Sequence, residues 1–304
     1  MPEALAGEQS NDINHAYDTA DITTITQEPT PPLPELCARI HQRVEAFLNS
    51  EAKSDRVRAV QAQSRTSLHV IEEALERYRK RQSPDELSLS YNGGKDCLVL
   101  LILYLSALHT HYSRRSTSAS NNDTNHTTTN SSLPETLRSV YILSRHPFAA
   151  VDAFVNLSVR QYHLSLSRYA LPMREAFASY LHDQPPVKAI FVGTRRTDPH
   201  GADLTHFDPT DRGWPAFMRI HPVIDWHYAE IWCFIRELGV EYCELYDLGY
   251  TSLGGTEDTH PNPALAVGDG QAKRGIPVEG EGRFRPAYEL VEDGEERLGR
   301  DGRG

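Results

Sequence analysis

Between a short apolar run and a long helical one stands Ser90-Tyr91-Asn92-Gly93-Gly94-Lys95-Asp96. Glycines let backbone N–H groups approach anionic oxygens closely, and a helix beginning just after them adds partial positive charge, so the types and their order suit phosphate. The loop is not a Walker A motif, which needs glycine where Leu89 stands and Ser or Thr where Asp96 stands. The glycines alone fit a tight strand-to-helix turn equally well, with Asp96 as a first-turn acid. The full septet favours phosphate. A second constellation runs from Gly193 to Gly201 and on through Pro209-Thr210-Asp211-Arg212-Gly213-Trp214-Pro215. It gathers Arg195, Asp198, Asp211 and Trp214 in a stretch too rich in Pro and Gly for an ordinary helix. Near the end stand Arg297 and Arg300. Their guanidinium forks can hold phosphate oxygens bidentately, and i, i+3 spacing puts both on one face if a helical turn forms. By itself this segment reads as a solvated charged tail.

Elements of two periods surround these residues. LSLSY (87–91), SVYILS (139–144), KAIFVGT (188–194) and MRIHPVID (218–225) read as strands, and the first leads directly into the glycine loop. Apolar residues at three- and four-residue intervals predict helices in ELCARIHQRVEAFLNS, in DRVRAVQAQSRTSLHVIEEALERYRKR, and around AAVDAFVNLSVRQYH and MREAFASYLHDQ. CLVLLILYLSALHTHY reads as a buried helix, and WHYAEIWCFIRELG as an amphipathic one stopping at Gly239. Strands alternating with helices predict a doubly wound, mostly parallel α/β sheet with helices on both faces, and such sheets bind ligands beyond the exit ends of their strands.

The expected organisation is a disordered leader over 1–34, a catalytic domain over 35–268 interrupted by a low-complexity polar insertion at 114–134, and a tail over 269–304 that is ordered only by docking or by ligand. The net charge of −11 argues against a general nucleic-acid binder. The N-terminus is acidic and polar where a signal peptide is basic and then apolar, and no apolar run approaches the roughly 20 residues that cross a bilayer. A cytoplasmic protein without a membrane partner is therefore expected. Cys37, Cys97, Cys233 and Cys243 form no C-x-x-C pair, which gives no sign of a zinc cage or disulfide framework.

SYNGGKD resembles the pyrophosphate-binding loop of the ATP pyrophosphatase superfamily, with Asn92 before Gly93 and Cys97 in place of the final serine of the common form. The blocks GTRRTDPHG and PTDRGWP, the long segment RIHPVIDWHYAEIWCFIRELGVEYCELYDLGYTSLGGTEDTHPNPAL, and RLGR are similar to those of fungal FMN adenylyltransferases, the FAD synthases. The resemblance covers about Ser83 to Arg300 outside the insertion. It implies an ATP pyrophosphatase-like, Rossmann-like fold and transfer of AMP from ATP to FMN, giving FAD and pyrophosphate with the help of Mg²⁺. It further implies Ser90, Tyr91, Asn92, Gly93, Gly94 and Lys95 at the ATP phosphates, Asp96 as a catalytic and metal-linked carboxylate, and Arg297 and Arg300 at the reacting phosphates. Arg195, Asp198, Asp211 and Trp214 would lie around the flavin, although Asp198 has two further readings, orienting Arg195 or binding metal. The rivals are a phosphoadenylyl-sulfate reductase-like enzyme, whose chemistry needs a redox cysteine near the C-terminus, and a flavin-binding module without catalysis. No cysteine follows Cys243.

Overall fold

The computed structural model describes residues 30–78, 86–119, 133–267 and 284–301, with the side chains of 115–119 excepted. The leader through residue 29, most of the insertion and most of the first half of the tail lie outside the described residues. From Pro31 onward the chain is one compact unit.

Among the described residues six strands form one sheet: β1 (Leu87–Ser90), β2 (Leu137–Ile142), β3 (Leu164–Tyr169), β4 (Ala189–Phe191), β5 (Phe207–Pro209) and β6 (Met218–Ile220). Their order is β3-β2-β1-β4-β6-β5, parallel except for the edge strand β5, which pairs antiparallel with β6. The chain builds outward from β1 to β2 and β3 and then crosses back to lay β4 on the other side of β1. That reversal opens a crevice at the exit ends of β1 and β4, the position where doubly wound sheets hold ligands.

Among the described residues, six α-helices cover the sheet: α1 (Leu33–Asn49), α2 (Asp55–Arg77), α3 (Lys95–Ala119), α4 (Ala149–Gln161), α5 (Met173–Asp183) and α6 (Tyr228–Glu237). The alternation of side chains along each strand divides the core. Leu87, Leu89, Ala189, Phe191 and Ile220 join the larger core with α1, α2, α3, α4 and α6, whereas Val140 and Ile190 meet Phe177 and Tyr180 of α5 on the opposite face. Helix α3 is wrapped on all sides, with Leu98 to Leu105 buried throughout, which explains its unbroken apolar run. It extends to Ala119, so the first residues of the segment read as an insertion from 114 are helical backbone. Helix α6 stops as its sequence indicates, since Gly239 takes φ +57°, which an L side chain resists.

Candidate active site

The septet leaves β1 at Ser90 and enters α3 at Lys95, with three local devices fixing its path. Gly93 has φ +76°, and a Cβ there would stand 2.8 Å from Val155 Cγ2 on α4, so both backbone angle and space require glycine. Asn92 Oδ1 accepts from Gly94 N at 2.9 Å and from Cys97 Sγ at 2.7 Å, closing an Asx turn. Tyr246 Oη accepts from Lys95 N at 2.9 Å. The β4 exit presses on the same turn, where a Cβ on Gly193 would lie 2.8 Å from Cys97 N. Burial pushes the Cys97 thiol up to about 11, so it stays protonated and unreactive at neutral pH.

Beneath the loop lies a buried ionic cluster. Lys95 Nζ donates to Asp96 Oδ2 at 2.9 Å and to Glu296 Oε1, and Arg195 Nη2 donates to Asp198 Oδ1 at 3.1 Å and to Glu296 Oε2. Arg195 Nε stands 2.9 Å from Asp96 Oδ1, and Nη1 is 3.8 Å from Asp293 Oδ1. Lys95 and Arg195 are 2% and 0% exposed. Burial alone would lower the Lys95 pKa, but Asp96 and Glu296 beside it raise it on balance. Burial likewise acts to raise the Asp96 pKa, and Arg195 and Lys95 override it and hold the carboxyl ionised.

The sequence-predicted residues divide by what they touch. Tyr91 belongs to the septet by sequence, but its side chain is fully buried and its hydroxyl donates to Ser158 Oγ on α4 at 2.8 Å, so only its backbone borders the loop. The Lys95 ammonium is enclosed by carboxylates and not presented to a phosphate. Arg195, expected around the flavin, offers no surface to a ring. Asp198 turns both oxygens to Arg195, accepting from the guanidinium and, at 2.8 Å, from the Arg195 backbone N–H, the contacts that the orienting reading expects. Asp96 has one oxygen facing Lys95 and the other facing Arg195.

Among the described residues of the tail, a strap over 292–301 is stitched to the body. Asp293 Oδ1 accepts from Tyr228 N at the start of α6 at 2.6 Å, and Oδ2 lies 2.6 Å from His227 Nδ1. The Glu296 carbonyl accepts from Thr251 Oγ1 at 2.6 Å, and buried Asn262 donates to the Glu295 carbonyl at 2.8 Å. His260 N donates to Gly299 O at 2.8 Å. Arg300 follows in a bridge with Thr259, its Nη2 3.3 Å from Asp258 Oδ2 and its guanidinium lying on the Gly254 backbone. Arg297 is exposed. Arg300 N donates to Arg297 O at 2.9 Å, a turn rather than the shared helical face that the spacing suggests. Sequence reasoning missed Glu296, whose neighbours in EDGEE are equally acidic.

Asp211 and Trp214 sit elsewhere, in the loop joining β5 to β6. Gly213 at φ +87° turns this loop toward α5, where Phe217 and Phe177 pack with ring centroids 5.0 Å apart. Trp214 is 38% exposed, and the open Asp211 carboxylate lies 3.5 Å from Arg219 Nη2. Leu171, just before α5, and Met173, its first residue, are exposed as well.

Residues 86–261 match the family profile described as the phosphoadenosine phosphosulfate reductase domain. The probable FAD synthase of Schizosaccharomyces pombe is 38% identical over 263 residues, 86% of this chain and 88% of that protein. The flavin adenine dinucleotide synthase of Saccharomyces cerevisiae is 34% identical over 239 residues, 76% of this chain and 75% of its own length. The crystal structure of Candida glabrata FMN adenylyltransferase in complex with FMN and the ATP analogue AMPCPP superposes with a TM-score of 0.75 at 29% identity, covering 90% of this chain and 98% of that one. A second crystal structure of that enzyme holds FAD and inorganic pyrophosphate.

Proposed function

Because the chain belongs to the FAD synthase family, built on the phosphoadenosine phosphosulfate reductase domain, we propose that the crevice at the β1 and β4 exits is where it transfers AMP from ATP to FMN, releasing FAD and pyrophosphate. The observation that carries the placement is the glycine septet, set at the point where strand order reverses and opening directly into the N-terminus of α3.

In this reading the triphosphate lies against Ser90, Asn92, Gly93, Gly94 and the first turn of α3, whose N–H groups not committed to Asn92 or Tyr246 point at its oxygens. An FMN phosphate oxygen attacks the α-phosphorus and pyrophosphate leaves in line. No general base is required, because that phosphate is already anionic near neutral pH. Arg297 and Arg300, on the strap beside the cluster, neutralise charge on the reacting phosphates. Trp214 offers a flat apolar contact to the flavin and Asp211 accepts from a ring N–H. The leader and the remainder of the insertion take no part in catalysis, and the setting is cytoplasmic.

Mg²⁺ is expected from the charge on ATP, and the described residues do not supply a preformed place for it. Among the described residues no group of three or more His, Cys, Asp and Glu side chains is arranged to hold a metal, and Asp96 is already bound by two cations. None of the roles assigned to these side chains depends on it.

Incubating the purified protein with FMN, ATP and Mg²⁺ and separating the flavins tests the assignment. FAD and pyrophosphate in equal amounts support it. Flavin binding without turnover would select the binding module instead, and sulfite release from a phosphosulfate would select the reductase.

A further inference from the structure

We propose that Glu296 is a positioning residue for the AMP transfer: through Lys95 and Arg195 it holds the phosphate loop, the β4 exit and the arginine-bearing strap in one working arrangement. This rests on the reading of the crevice as the site of that reaction.

The case begins with what the carboxylate touches. Glu296 is 6% exposed and uses one oxygen on Lys95, 201 residues earlier, and the other on Arg195, 101 residues earlier. Lys95 opens α3 at the end of the glycine loop, and Arg195 stands beyond β4, so one side chain joins the two loops that border the crevice. Its own backbone is fixed independently, because the carbonyl accepts from Thr251 and from Asn262, which is fully buried. The next residue, Arg297, is exposed, and Arg300 follows within a turn. Any motion of the strap that carries the arginines must therefore pull on the two buried cations, and the reverse holds too.

The chemistry of the side chain allows a sharp test. A carboxylate accepts at both oxygens, whereas the isosteric amide of glutamine accepts at one atom and donates at the other, so Glu296→Gln must turn a donor toward Lys95 or Arg195. One of the two ties is lost with little change in volume. If Glu296 only filled space, this exchange would leave kinetics alone. If it positions the arginines for the transition state, kcat falls while the FMN KM stays near its original value. Released from its tie, the strap also opens more often, and cleavage of the folded protein by trypsin at Arg297 and Arg300 follows the population of the open form.

The experiment measures steady-state FAD production, tryptic cleavage of the native protein and thermal melting for wild type, Glu296→Gln and Thr251→Val. For Glu296→Gln we expect kcat to fall at least about tenfold, the FMN KM to stay within about threefold, and the strap to be cut faster. Unchanged kcat in a folded Glu296→Gln protein overturns the proposal. So does a loss of rate matched by the fraction unfolded at the assay temperature. If Glu296→Gln does not fold, Thr251→Val decides, since it loosens the strap while keeping the carboxylate. Faster cleavage with lower kcat supports the proposal, and faster cleavage with unchanged kcat overturns it. Absence of FAD formation by the wild type is a different failure, that of the functional assignment itself.

Discussion

Replacing Gly254 with alanine displaces Arg300 without deleting it. A Cβ on Gly254 would overlap Nη1, Cζ and Nη2 of the Arg300 guanidinium, which rests on the glycine backbone and is steadied by Asp258 Oδ2 at 3.3 Å. The obstructing atoms are the far end of a flexible side chain, so the guanidinium swings away while the backbone stays. Gly254 has no left-handed φ that alanine would resist, and Gly→Ala at a tolerated position gains about 0.4–1 kcal/mol by restricting the unfolded chain. Melting should therefore change little. If Arg300 stabilises charge on the reacting phosphates, its displacement lowers kcat/KM at least about tenfold, or roughly 1.4 kcal/mol of transition-state stabilisation. The same loss is expected for Arg300→Ala, and the double variant should be no worse than either single one, because both remove one interaction. The assay is FAD formation with FMN and ATP varied separately across the four proteins. Wild-type kinetics for Gly254→Ala, or losses that multiply in the double variant, would refute the reasoning that Gly254 acts by seating Arg300.

Trp214→Ala and Asp211→Ala should each raise the FMN KM at least about fivefold, or roughly 1 kcal/mol, with little change in the ATP KM or in melting, because both side chains are exposed and outside the cluster. An unchanged FMN KM in both would remove this loop from the flavin site. His221 is 1% exposed, and burial, aided by Arg219 and His206 and opposed by Asp208, lowers its pKa to about 4. Between about 6.5 and 4 the unfolded chain binds a proton that the native state does not, so this stabilising contribution is complete above 6.5 and shrinks as pH falls, by on the order of 3 kcal/mol. Urea denaturation from pH 7 to 4 should show a shallower decline for His221→Gln than for the parent, and equal slopes would contradict the burial effect. A chain ending at Glu292 should lose stability as well as turnover, since Lys95 and Arg195 then lack Glu296 and the start of α6 lacks Asp293, whereas a chain starting at residue 30 should retain both.

The septet was legible because everything that makes it a loop is local: a strand before it, glycines within it and a helix after it. The amphipathic helices were legible for the same reason, and Gly239 marked the end of α6 by its own backbone requirement. Strand β3 gave a weak signal, since Leu164-Ser165-Leu166-Ser167 alternates with serine and lies at the sheet edge with its outward positions partly exposed. Strand β5 was hidden in a segment whose Pro and Gly suggest loop, and its three residues are held by pairing with β6 rather than by propensity. Arg195 looks like a ligand-facing cation in sequence because its neighbours there are polar. Its enclosure depends on Asp96 and Glu296, which lie far from it and from each other along the chain. Nothing in EDGEE distinguishes Glu296 from its neighbours until the fold brings Lys95 and Arg195 to it.

That enclosure changes which groups can meet the nucleotide. Two buried cations, Lys95 and Arg195, stand among four carboxylates, Asp96, Asp198, Asp293 and Glu296, so the cluster carries more negative than positive charge. Such a cluster would repel a triphosphate if it were the only nearby source of potential. Attraction must then come from the oriented amides at the N-terminus of α3 and from arginines outside the cluster. In the proposed site Arg297 and Arg300 provide it, on a strap that Glu296 and Asp293 dock to the body. The acidic residues before the arginines thus divide the positive charge of the region between two uses. They engage the buried cations in holding the strap, and they leave Arg297 exposed and Arg300 partly exposed beside Asp258, the two cations that the proposed site turns to the substrate phosphates.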